Sequence, residues 1–228
     1  MTKTKQYLAG MKAGIPVIFG FVPVGIAYAL MARQAGLTVL QTCGMSLTVF
    51  AGAAQMMASG MIAQGASILA IILATFIINL RHMIMSTCVF ERMKVDKLWI
   101  KLLAAFGVTD ESFAIYTTEK KEHLTPMFFF GLITVTYSSW NVGTWIGALA
   151  SDLLPAIVTA SFGVALYAMF ISLLVPNLHG NGKLFVLVVL TAVCNTLLVQ
   201  LVDQSWAIII STLLAAFVGV FFVELEED

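Results

Sequence analysis

Apolar runs of about 20 residues succeed one another along nearly the whole chain. They fall at about 14–33, 38–63, 66–90, 98–118, 127–150, 154–176, 183–202 and 205–223, each near the length that carries a helix across a bilayer core. The connections are short, the most polar being Glu91–Lys101, Glu119–His123 and Asn177–Lys183. The alternation that marks the short strands of a transmembrane barrel is absent. The pattern predicts an all-α, polytopic integral membrane protein of seven or eight transmembrane helices, with residues 1–228 forming one transmembrane domain. Lys3, Lys5 and Lys12 before the first run resemble the start of a signal peptide. That run is too long for an h-region and more spans follow, so it reads as an uncleaved first helix.

The basic residues set an orientation and raise a conflict. Lysines before the first run favour a cytoplasmic start, and Arg92, Lys94, Lys97 and Lys101 favour the same side, as do Lys120 and Lys121. The two later clusters cannot both be cytoplasmic if segment 98–118 crosses once. Nor can three plain crossings return the first of them to the cytoplasm. At least one segment is therefore expected to be broken, re-entrant or strongly tilted. Segments 38–63 and 98–118, rich in small or polar residues, are the candidates. A weak repeat sets Thr75–Asn79 (T-F-I-I-N) against Thr191–Asn195 (T-A-V-C-N), an offset of 116 residues. It suggests pseudo-repeats at about 14–118 and 127–223, with a substrate site where the halves meet. Parallel and inverted arrangements are both open.

Composition narrows the function classes. The chain is 60% hydrophobic and 11% charged, against roughly 25% charged in soluble domains, and its mean hydropathy is +0.98. Net charge is zero, which gives no sign of a nucleic-acid partner. Cys43, Cys88 and Cys194 all fall in apolar runs without metal-ligand spacing and read as small core residues. There is no Walker loop, HExxH or GxSxG. No enzyme chemistry, cofactor or metal is indicated, and without a nucleotide motif this chain cannot by itself drive primary active transport.

Against this background the polar residues inside apolar runs stand out. A charge at the bilayer centre costs about 2.5–3.5 kcal/mol on insertion scales, so it persists where something needs it. Arg81 and His82 lie within 66–90, with Asn79 on the His82 face; either Arg81 meets a different neighbour or the helix ends there. Arg81 is ten residues from Glu91, about 15 Å along a helix and too deep for easy snorkelling. Asp110 and Glu111 interrupt 98–118. Either they cap a half-helix, or they form a proton or ammonium site. With one cation against two carboxylates, one acid needs a proton, a substrate amine or a metal ion. Gln55 follows four small residues, Ala51 to Ala54, and places an amide in apolar surroundings. Pro16 and Pro23 each remove a backbone donor from the first run and are candidate helix breaks. Small-residue faces around Gly52 and Gly143–Gly147 suit contact with another subunit.

The ordered set P-x-x-x-G at 16–20, F-A-G-A-A-Q at 50–55, N-L-R-H at 79–82 and T-D-E-S-F-A at 109–114 resembles the AzlC family. These are large subunits of bacterial branched-chain amino acid exporters. The resemblance implies outward movement of leucine, isoleucine, valine and analogues across the bacterial inner membrane. It also implies a small hydrophobic AzlD-type partner subunit and an ion gradient, for which protons are the first candidate. The family's signature positions map onto Gln55, Asn79, Arg81, His82, Asp110, Glu111 and Phe113. Gln55, Asn79, Arg81, His82 and Phe113 are the substrate-binding candidates, and Asp110 and Glu111 the ion-coupling candidates, Asp110 favoured. A phenylalanine typical after Pro23 is Val24 here. An ion channel and a non-transporting scaffold are the rival readings.

Overall fold

The computed structural model describes residues 2–120, 124–153, 171, 174, 175, 178, 179, 181–202 and 204–222. Most of segment 154–176, the acidic end 224–228, Lys121 and His123 lie outside them. The described residues form helices: α1 (Lys3–Gln34), α2 (Val39–Thr48), α3 (Gly52–Ala63), α4 (Ile68–Met93), α5 (Leu98–Phe106), α6 (Asp110–Thr118), α7 (Pro126–Ala150), α8 (Gly182–Leu198) and α9 (Gln204–Phe222). The all-α membrane fold read from the apolar runs is what the chain adopts. At 32 and 26 residues, α1 and α4 extend about 48 and 39 Å, enough to cross a bilayer.

Segments 38–63 and 98–118 are each broken in the middle. The first breaks at Val49–Ala51, between α2 and α3, and the second at Gly107–Thr109, between α5 and α6. Contacts then show that each pair folds back. The start of α2 lies at the carboxyl ends of α1 and α7, where Cys43 packs with Ala29 and Ala148 and the Tyr28 hydroxyl donates to the Thr42 carbonyl at 3.1 Å. Its end reaches mid-depth, where the Leu47 carbonyl accepts from Tyr137 at 2.7 Å. From there α3 returns, and Met61 packs against Ala70 and Ala74 at the start of α4. The second pair mirrors the first. Met85, Val89 and Met93 of α4 pack with Phe128 and Phe129 at the amino end of α7, so α4 runs opposite to α7. Phe106 at the end of α5 reaches Phe50, with ring centroids 6.4 Å apart. α6 then returns until Arg92 donates to the Thr117 carbonyl at 2.7 Å.

Both segments therefore leave by the side they entered and add no crossing. This resolves the basic-residue conflict: Arg92–Lys101 and Lys120 lie at the same end as Lys3 and Lys5, although segment 98–118 is apolar. It also removes two from the seven or eight spans expected. A unit of one long helix followed by a folded-back pair thus occurs twice, in opposite directions. The helix ends Gln34 and Met93 lie 59 residues apart, as do the starts Val39 and Leu98.

Irregular backbone at this depth is tolerated only if its polar groups are satisfied. At the second tip, Thr109 and Ser112 exchange hydrogen bonds in a capping box, and the Ser112 hydroxyl also reaches the Gly107 carbonyl at 3.0 Å. At the first tip, the Ala51 N–H donates to Val49 at 2.9 Å and the Val49 N–H to Met45 at 2.8 Å. Each tip presents a glycine to α7: Gly107 is against Ile133, and a Cβ on Gly52 would sit 2.6 Å from Cη2 of Trp140.

Two expectations fail here. Pro16 and Pro23 do not break α1, which is helical from Lys3 to Gln34 with both inside. Each proline removes one helical hydrogen bond, and close packing along α7 holds the helix together around the loss. Gly10 and Gly14 lie against Phe128 and Leu132, Gly25 against Trp140, and reciprocally Gly131, Gly143 and Gly147 lie against Tyr7, Val22 and Ile26. The numbers rise together, so α1 and α7 are parallel. Gly143, Gly147 and Gly52 are thereby used within the chain and are not free faces for another subunit.

Candidate functional site

The two hairpin tips and the middles of α1, α4 and α7 meet at one pocket. Its wall is formed by Phe21 of α1, the first tip (Phe50–Ala53), Arg81 and His82 of α4, the second tip (Thr109–Glu111) and Trp140 of α7. Counting the space open to solvent, the void is about 480 Å³. The folded-back pairs explain why the polar residues meet. Each hairpin carries its tip to mid-depth from an opposite side, and Arg81 lies midway along α4.

Arg81 Nη1 lies 3.0 Å from Asp110 Oδ2, with the side chains 41% and 33% exposed. The ion pair borders the void and is not sealed away from it. The Arg81 Nε is buried and has no partner. Arg81 and His82 line the same pocket, against the expectation of different neighbours. They are adjacent, about 100° apart around the helix, and the second tip spans that arc. Asp110 and Glu111 occupy the first turn of α6 behind the Thr109 cap, where the helix dipole favours negative charge. Among the described residues Glu111 has no ion pair, so one carboxylate at the site is unbalanced. The amino end of α3 has no side-chain cap: its N-cap position is Ala51. Its first amides have no side-chain partner, and Ala51–Ala53 line the void together with Arg81.

Three other candidates lie outside the lining. Gln55 is fully buried, and its Oε1 accepts from Trp140 Nε1 at 3.2 Å while its Nε2 has no partner. Phe113 packs against the core of Met85, Tyr116 and Phe128 and does not line the void. Asn79 is half-buried, with an unpartnered Oδ1, and does not line the void. The helical period places positions 79 and 82 on one face, but the pocket opens on the sector shared by 81 and 82. The sequence reading missed Phe21 and Trp140. For Trp140 a signal exists: Ser138-Ser139-Trp140-Asn141 interrupts an otherwise apolar segment. Among the described residues, no three His, Cys, Asp or Glu side chains are grouped to hold a metal ion. Cys43 is buried, Cys88 and Cys194 are half-buried, and all three are free thiols.

Residues 16–154 match the family described as AzlC protein, a range that runs from Pro16 in α1 to just past the end of α7 and contains the whole pocket. An uncharacterized membrane protein of Archaeoglobus fulgidus is 31% identical over 79% of this chain and 80% of its own length. The inner membrane protein YgaZ of Escherichia coli is 31% identical over 79% of this chain and 76% of its own length. The branched-chain amino acid transport protein AzlC of Bacillus subtilis is 27% identical over 65% of this chain and 61% of its own length. No solved structure matches the chain. On the extent of the family match and of these identities, the chain belongs to the AzlC family.

Proposed function

We propose that this chain is the large subunit of a secondary transporter that exports branched-chain amino acids through the cytoplasmic membrane. The observation that carries the reading is the pairing of Arg81 with Asp110 at the edge of a void whose other wall is aromatic. A zwitterion with an aliphatic side chain needs an anion partner, an ammonium partner and an apolar wall. The carboxylate goes to Arg81 and the uncapped amino end of α3, and the ammonium to Asp110. The aliphatic group goes to Phe21, Phe50 and Trp140. The substrate thus replaces one ion pair with two and leaves the charge balance unchanged. Glu111, unbalanced, is the coupling carboxylate and carries a proton. This departs from the preference for Asp110, because Asp110 is already neutralised by Arg81.

The name of the Bacillus subtilis relative supports the substrate class. Export and a small AzlD-type partner follow from the family resemblance. The experiment is counterflow of labelled leucine into proteoliposomes, with and without the small subunit. A transporter exchanges labelled for unlabelled leucine. Dissipation without exchange would indicate a channel, and neither activity, with or without the partner, a scaffold.

A further inference from the structure

We propose that Trp140 sets the upper size of the substrate side chain, and that Gln55 is the positioning residue that fixes it. This rests on the amino-acid transport reading above. Trp140 belongs to the pocket wall, yet it is 3% exposed, so one edge of the indole faces the void and the rest is clamped. Phe21 meets it edge-on at 5.6 Å and Tyr28 stacks on it at 6.0 Å with a 23° tilt. The indole N–H is taken by Gln55 Oε1 at 3.2 Å. The six-membered ring lies against Gly52, where an added Cβ would come within 2.6 Å of Cη2.

Each constraint acts on a ring whose position limits the apolar end of the pocket. An indole packed by two aromatic rings and held at its nitrogen and at its tip cannot swing aside for a larger guest. Pockets so defined discriminate by volume, and one methylene changes the rate ratio by about 10–200-fold. Gln55 is fully buried and sits behind the ring, outside the void. It acts through Trp140 and does not touch the substrate.

Two substitutions push the limit in opposite directions. Trp140→Phe removes ring volume and should admit methionine and phenylalanine, raising their competition against labelled leucine roughly tenfold relative to valine. Gly52→Ala places a methyl at the ring tip, so the wall must encroach on the void; the ratio should then move toward valine. Gln55→Met deletes the acceptor at similar length and should blunt selectivity. Combined with Trp140→Phe it should add nothing, since both act through one ring. Each ratio is taken within one preparation, so a poorly folded variant lowers the signal without shifting it. The wild type supplies an arm of its own: phenylalanine should compete at least about tenfold less well than leucine.

Wild-type exchange of leucine with equal competition by phenylalanine, or unchanged ratios in Trp140→Phe and Gly52→Ala, would overturn this inference and leave the transport reading standing. Absence of amino-acid exchange by the wild type would overturn the transport reading and this inference with it.

Discussion

Arg81 and Asp110 neutralise each other across 3.0 Å, and each has a different task once a zwitterion stands between them. Planar recognition of a carboxylate needs the guanidinium fork, which a lysine does not supply. Arg81→Ala should lower leucine exchange at least about tenfold, the loss of a hydrogen bond to a charged group; Arg81→Lys should leave a measurable remnant. Counterflow rates normalised to inserted protein check this, and equal rates in both variants and wild type would make Arg81 structural. The acids separate in the same assay. Glu111→Gln mimics a protonated side chain, so exchange should survive while accumulation driven by a pH gradient is lost. Asp110→Asn removes the ammonium partner, so both should fall. Arg81, Asp110 and Glu111 were legible because a charge inside an apolar run has no other contrast to compete with. Phe21 was not, because an aromatic in an apolar run looks like any other core or lipid-facing residue, and Trp140 was marked only by its polar neighbours Ser138, Ser139 and Asn141. Gln55 was legible as an amide in apolar surroundings, but its partner is an indole 85 residues away, and no spacing rule reaches that far.

At the scale of elements, the breaks in 38–63 and 98–118 could be read from small and polar residues crowded at their centres, and the structure breaks both there. The prolines of α1 misled because a proline's effect depends on what surrounds it. α1 is packed along its length on α7 through glycines that let the backbones meet, which is the main attraction between helices where lipid is as apolar as leucine. Position within that seam should govern tolerance. A Cβ on Gly10 would overlap the Phe128 carbonyl, whereas a Cβ on Gly20 meets nothing within 4 Å. Gly10→Ala should therefore destabilise the protein by about 1–3 kcal/mol, as overpacking does. Gly20→Ala should be neutral or slightly stabilising, since alanine is the better helix former. Thermal unfolding in detergent, followed by loss of monodisperse protein, compares the two; an equal Tm for both would mean that α1 and α7 do not meet along this seam.

At the scale of the molecule, the decisive property is direction, and hydropathy does not record it. A segment that crosses and one that turns back have the same composition. The lysine and arginine pattern did record it, as a conflict no set of plain crossings could remove. Two opposed hairpins remove it. With α4 antiparallel to α1 and both tips at mid-depth, the turns at Gly36 and Gly65 share one end of the molecule. Lys3, Lys94 and Glu119 share the other. Two half-helices entering from opposite faces also bring the ends of several dipoles to one place, a recurrent way of building ion and substrate sites in lipid. The arrangement makes a prediction that does not depend on any substrate. In a variant with Cys43, Cys88 and Cys194 replaced by serine, single cysteines at Asp96 and Glu119 should react from the cytoplasmic side alone. Cysteines at Gly36 and Gln64 should react from the opposite side alone. A membrane-impermeant maleimide applied to intact cells and to inverted vesicles distinguishes the sides. If segment 98–118 were an ordinary span, positions 96 and 119 would report opposite sides. A pocket between two hairpin tips would then be ruled out, because the second tip could not reach Arg81 from the side on which α4 ends.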